Sequence, residues 1–87
     1  MHKYSISMDI LEQKFEDSII IFVSEENKFY MLEGTSIVIW EFLKRAKTME
    51  EIEKLMYDKY EVKKSKLRND IINLMDYLID AKILLLK

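Results

Sequence analysis

The stretch Lys28–Leu43, KFYMLEGTSIVIWEFL, changes hydrophobic period halfway along, and that change limits what the rest of the chain can fold into. Phe29, Tyr30, Met31 and Leu32 follow the polar turn Glu25-Glu26-Asn27 as a run of aromatic and bulky residues, which suits a half-buried strand. From Thr35 onward Ile39, Trp40, Phe42 and Leu43 recur at three- and four-residue spacing, and Ala46 extends the same face, which predicts a helix from Thr35 to Ala46. The only glycine, Gly34, stands at the joint. A chain that turns there from sheet into helix needs backbone freedom that a Cβ removes.

Upstream, Tyr4, Ile6 and Met8 alternate with Lys3, Ser5 and Ser7, a period-two pattern that fits a strand or a covering arm. Ile10 to Phe15 reads as a strand, Glu16-Asp17-Ser18 as a turn, and Ile19 to Val23 as a second strand that is apolar on both faces. A strand buried on one side alternates, so the outer face of this one is expected to be covered, by the N-terminal arm or by a second copy of the chain. With Lys28 to Leu32 added, three strands on short turns predict an antiparallel meander with the third strand at an edge.

Downstream, Thr48 and Glu51 form a capping box that starts a second helix, with Ile52, Leu55, Met56 and Tyr60 as its apolar stripe. Met49 and Met56 read as core filler. Glu61-Val62-Lys63 interrupts the pattern before a third helix from Lys64 to Ala81, and Ile83 to Leu86 is either a last strand or a plug for the core.

The order L-x-x-T-x-x-x-I-W-E-x-L, made by Leu32, Thr35, Ile39, Trp40, Glu41 and Leu43, resembles the PqqD-like family. The resemblance continues through Thr48-Met49-Glu50-Glu51-Ile52, Tyr60-Glu61-Val62 and the last-helix residues Leu67, Asp70 and Ile71, so it spans nearly the whole chain. Two positions depart from it: Glu33 stands where the family often has Asn, and Lys82 where it often has Gly. The resemblance implies an α+β domain, three strands then three helices in winged helix-turn-helix style. It also implies a role in holding the leader segment of a ribosomally made precursor peptide, in a groove between the third strand and the third helix. The implied partners are that leader and a maturation enzyme, whether a radical SAM protein, a cyclase or a leader peptidase.

Composition narrows the alternatives. A chain of 87 residues that is 49% hydrophobic predicts one small domain over residues 1–87. There is no cysteine, so no disulfide or thiolate metal site is expected, and no apolar run reaches the roughly 20 residues of a membrane helix. With no signal-peptide pattern either, the expected location is cytoplasmic and the expected cofactor is none. His2, the sole histidine, is expected to be disordered. No nucleophile–base pair is visible, so an enzyme is not expected.

The third helix carries the site expectation. With Leu67 at zero and about 100° per residue, Leu74, Leu78, Leu67 and Ile71 fall within roughly 60° and suffice for a core stripe. Ile72, Met75 and Ile79, with Arg68 among them, widen the apolar arc by about another 100° on one side. Either a neighbouring element buries that shoulder or it is the wall of a groove. An unpaired edge strand beside an apolar helix offers main-chain hydrogen bonds and side-chain pockets to an extended peptide. The expected peptide-binding set is therefore Lys28, Phe29, Tyr30, Met31, Leu32, Lys64, Arg68, Ile71, Ile72, Met75 and Ile79. Asp70 is expected to make a structural hydrogen bond or a surface pair with Lys66 rather than orient a partner backbone group, and the Trp40 indole to find a backbone acceptor.

The basic cluster Lys59, Lys63, Lys64, Lys66 and Arg68 also suits DNA phosphates, which makes a winged-helix transcriptional regulator the alternative. Asn69, Asp70 and Asp76 on the same helix and a net charge of −2 rank nucleic acid behind peptide. A homodimerisation module built on the two-faced second strand is the third reading.

Overall fold

A computed structural model describes residues 4–86, and the expectation for His2 lies outside them. The elements run β1 Tyr4–Ile6, β2 Ile10–Lys14, β3 Ser18–Val23, β4 Lys28–Glu33, α1 Thr35–Lys44, α2 Met49–Lys59, α3 Lys64–Asp80 and β5 Leu84–Leu86. β2, β3 and β4 form an antiparallel sheet in that order, so the architecture is the expected α+β meander followed by three helices. The tail is a strand: β5 pairs antiparallel with β1, Tyr4 opposite Leu86.

One face of the sheet closes on the helices. Ile19, Ile21 and Val23 of β3 and Leu32 of β4 are buried with Ile39, Trp40 and Leu43 of α1, Ile52 and Met56 of α2, and Leu67, Ile71, Leu74 and Leu78 of α3. Ala81, Ile83 and Leu84 complete that cluster, and Met49 packs on it half-buried. The second-helix stripe is narrower than expected, because Leu55 is 41% exposed. Among the described residues the N-terminal arm does not cover the outer face of β3. It pairs with β5 instead, and Tyr4 and Ile6 pack on the core while Met8 is fully exposed. Ile20 and Phe22 keep partial exposure, shielded by their cross-strand neighbours Met31 and Phe29, with the Phe22 and Phe29 rings 4.6 Å apart.

The helix ends explain what one glycine does and does not supply. Gly34 has φ 59° and ψ −135°, and a Cβ there would meet nothing within 4 Å. Its requirement is the backbone angle alone. Three other residues also take positive φ: Asn27, Ala46 and Lys82. α1 therefore stops at Lys44 rather than Ala46. The Ala46 N–H donates to the Leu43 carbonyl and the Lys47 N–H to that of Phe42. α3 ends the same way, through Lys82 N–H to the Ile79 carbonyl and Ile83 N–H to that of Leu78. Both are Schellman closures, whose left-handed position favours glycine, filled here by alanine and lysine. At the start of α2 the capping box is complete, with Glu51 N–H to Thr48 Oγ1 at 3.1 Å and Thr48 N–H to Glu51 Oε1 at 2.9 Å.

Trp40 is fully buried, and its indole N–H donates to Glu12 Oε1 at 2.6 Å, a side chain of β2 rather than the expected backbone acceptor. Lys44 Nζ donates to the same carboxylate at 2.9 Å and lies 3.3 Å from Glu41, which also pairs with Lys14 at 3.1 Å. Partial burial pushes the Glu41 carboxyl up, but hydrogen bonds from Lys14 and Lys44 outweigh it and hold the group below the ordinary carboxylate range.

Replacing Ala46 with glycine is expected to stabilise the fold by about 0.5–1 kcal/mol, because it relieves a left-handed alanine at an exposed site. Lys82→Gly should gain less, since it also removes the 2.9 Å ion pair with Glu26. Denaturant midpoints of the two variants check both. Glu12→Ala strands the buried Trp40 N–H and should cost about 1–3 kcal/mol, while Glu12→Gln, which keeps an acceptor, should cost visibly less. A folded-state pKa below the unfolded one contributes stability that is full above the ordinary carboxylate range and is lost as pH falls through the folded value. Glu41→Gln should accordingly flatten the acid limb of a stability–pH curve.

Candidate functional site

The sheet has two free edges, and two backbone hydrogen bonds fix what each presents. Phe15 N–H donates to the Ser18 carbonyl and Ser24 N–H to that of Asp9. Those pairs set the antiparallel phase, so Ser18, Ile20 and Phe22 turn their backbone groups toward β2, while Ile19, Ile21 and Val23 turn theirs toward β4. Across β4 the bonded partners are Leu32, Tyr30 and Lys28. The N–H and C=O groups of Phe29, Met31 and Glu33 therefore point away from the sheet, where no strand lies among the described residues.

The opposite edge is closed by charge. Ile10, Glu12 and Lys14 carry the outward backbone groups of β2, but Glu12 and Lys14 are tied by their side chains to Lys44 and Glu41 of α1. Charges at an edge discourage added strands. Along β4 the charges stand only at the ends, Lys28 and Glu33, with four uncharged bulky residues between them.

A groove runs beside that open edge. Met31, Leu32, Thr35, Ser36 and Ile39 form one wall, and Lys66, Asp70, Asn73, Leu74 and Tyr77 of α3 form the other. The Tyr30 and Tyr77 rings meet edge to face at 5.6 Å. Partial burial, then the neighbouring Tyr30, raises the Tyr77 hydroxyl above its usual pKa, so it remains a neutral hydrogen-bonding group in the wall. The expected Lys66–Asp70 pair is present at 3.2 Å. The groove is thus apolar at the Tyr30–Tyr77–Leu74 end and polar where Lys66, Asp70 and Asn73 face Thr35 and Ser36.

Of the expected strand residues, Met31 and Leu32 line this groove, Met31 exposed and Leu32 buried; Tyr30 borders it half-buried through its contact with Tyr77, while Lys28 and Phe29 are exposed along the same strand outside the lining. The expected helix residues do not line it, and these are corrections. Ile71 has no exposed surface and belongs to the core. Lys64 and Arg68 face α2, Lys64 Nζ lying 4.9 Å from the Tyr57 ring and Arg68 Nε donating to Glu53 at 3.0 Å. Met75 and Ile79 pack on the core half-buried, and Ile72 is 37% exposed on the same shoulder. At about 100° per residue that shoulder lies on one side of the core stripe, and Lys66, Asp70, Asn73 and Tyr77 lie on the other. Met75 and Ile79 spend most of the wide apolar arc on core packing, Ile72 stays exposed outside the groove, and the groove wall is the polar and aromatic side of α3. The lining residues outside the expected set are Thr35, Ser36 and Ile39 of α1 and Lys66, Asp70, Asn73, Leu74 and Tyr77 of α3. Tyr77, an aromatic among charged neighbours, was the one visible signal.

Comparison with known proteins agrees with this architecture. A search of curated protein sequences finds no match. Two solved structures share the fold. TbiB1 in complex with the TbiA(beta) leader peptide has a TM-score of 0.85 at 20% identity, covering 92% of this chain and 93% of that one. Lasso peptide synthetase B1 complexed with the leader peptide has a TM-score of 0.86 at 16% identity, covering 95% and 98%. The family model described as coenzyme PQQ synthesis protein D (PqqD) matches residues 18–84, which run from the first residue of β3 to the first of β5. With β3, β4, the three helices and the groove all inside that span, the chain belongs to the PqqD family.

Proposed function

We propose that this protein binds the leader segment of a ribosomally synthesised precursor peptide as an added strand on β4, in the groove against α3. It presents that peptide to a maturation enzyme, a radical SAM protein, a cyclase or a leader peptidase. The observation that carries the reading is the open edge, where Phe29 and Met31 turn backbone donors and acceptors away from β3 beside a groove lined by β4, α1 and α3. The two neighbours in fold, both described in complex with leader peptides, support it. The protein acts without chemistry of its own, as a carrier in the cytoplasm. No helix among the described residues is long and apolar enough to cross a membrane.

A DNA-binding role fares worse on the same geometry. Lys64 and Arg68, the cations that a recognition helix would offer, are engaged with Tyr57 and Glu53 of α2. The third-helix surface beside the sheet carries Asp70, which would repel phosphate.

Calorimetric titration with the cognate precursor peptide should give a one-to-one complex with a Kd in the micromolar range or tighter, about 8 kcal/mol or more. Deleting the leader should abolish it; unchanged affinity after that deletion would overturn the reading. Strand addition has its own check. Met31→Pro removes an outward N–H that β3 does not use, so the domain should still fold while binding weakens about two- to ten-fold. Tyr30→Pro removes a ladder bond to β3 and should destabilise the domain itself.

A further inference from the structure

Both faces of the open strand are apolar. Tyr30 and Leu32 turn their side chains to the helices, while Phe29 and Met31 turn theirs to the outer face, where they are 71% and 52% exposed beside Phe22 and Ile20. A strand laid along β4 places its own side chains in the same alternation, each beside the residue it faces. The guest residue facing Tyr30 meets the Tyr30–Tyr77 pair and Leu74. The guest residues on either side of it meet Phe29 and Met31, on the other face of the sheet. An edge with one wet face would select alternating apolar and polar residues; this edge has apolar side chains on both.

The ends of the strand differ from its middle. The guest residue facing Leu32 lies at the polar part of the groove, beside Thr35, Asp70 and Asn73. Lys28 and Glu33 make no ion pair among the described residues and stand at opposite ends of β4. They are free to pair with charges on the guest.

We infer that the recognised segment is a strand with three successive bulky apolar residues, facing Phe29, Tyr30 and Met31. It is bounded by an acidic residue at the Lys28 end and, one polar residue further on at the other end, by a basic residue facing Glu33. This rests on the leader-binding reading and names the class of peptide that the edge selects. Charge pairs at the ends set the frame, since a slip of one residue would exchange the inner and outer side chains of the guest and separate both pairs.

The test replaces each residue of the cognate precursor's leader in turn with serine and titrates each peptide against the intact protein. Three consecutive sensitive positions are expected. On the protein side, Phe29→Ser and Met31→Ser should each weaken binding about two- to five-fold without lowering the melting temperature, as loss of an exposed cross-strand pair does. Lys28→Glu should weaken binding and be rescued by a leader whose acidic end residue is changed to lysine. Sensitivity at every second leader position, with Phe29→Ser and Met31→Ser silent, would overturn the inference and leave leader binding intact. No binding by the unaltered leader would instead overturn the reading on which it rests.

Discussion

The antiparallel phase of β3 against its two neighbours governs what this protein offers to a partner. Once Ile19, Ile21 and Val23 bond to β4, Lys28, Tyr30 and Leu32 are engaged and the alternate residues must face outward. The same pleat sends Leu32 into the core and leaves Phe29 exposed, so backbone availability and side-chain exposure fall on the same residues. Shifting that pairing by one residue would bury Phe29 and Met31, expose Leu32 and turn a different set of donors to the edge. The buried faces of Ile19, Ile21 and Val23 resist such a slip, since it would move the sheet's contribution to the core into water.

A second constraint acts from the other edge. The Glu12 carboxylate receives both the Trp40 indole and Lys44, which joins β2 to α1 through a buried aromatic. That arrangement orients α1, and α1 in turn follows directly from β4 through Gly34. One sheet edge is consumed in fixing the helix whose first turn forms part of the groove at the other edge.

Much of this was legible in the residues. The change of period at Gly34, the capping box at Thr48 and Glu51, and the breaks near Val62 located β4 and the three helices to within about two residues, because each rests on chemistry a few positions wide. The failures were of a different kind. A helical wheel measures how wide the apolar arc of α3 is, but which shoulder turns toward the sheet depends on how the chain returns across it. Ile72, Met75 and Ile79 were therefore assigned to the groove while Asn73, Leu74 and Tyr77 line it. The partner of Trp40 lies 28 residues away on another element, and the pairing of Tyr4 with Leu86 spans nearly the whole chain. No local pattern encodes either. Ala46 escaped because alanine extends a helix as readily as it can end one when the following backbone bonds are favourable.

The pairing of β1 with β5 also bears on architecture beyond this chain. In the antiparallel register Tyr4, at the start of β1, lies opposite Leu86, at the end of β5, so the polypeptide enters and leaves the fold side by side. Neighbouring entry and exit points are the geometry that lets one folded unit be inserted into a surface loop of another without stretching either. Such a unit could be carried within a larger host at that point, with its β4 edge still open, and tethering would then raise the effective concentration of anything it held near the host's own site.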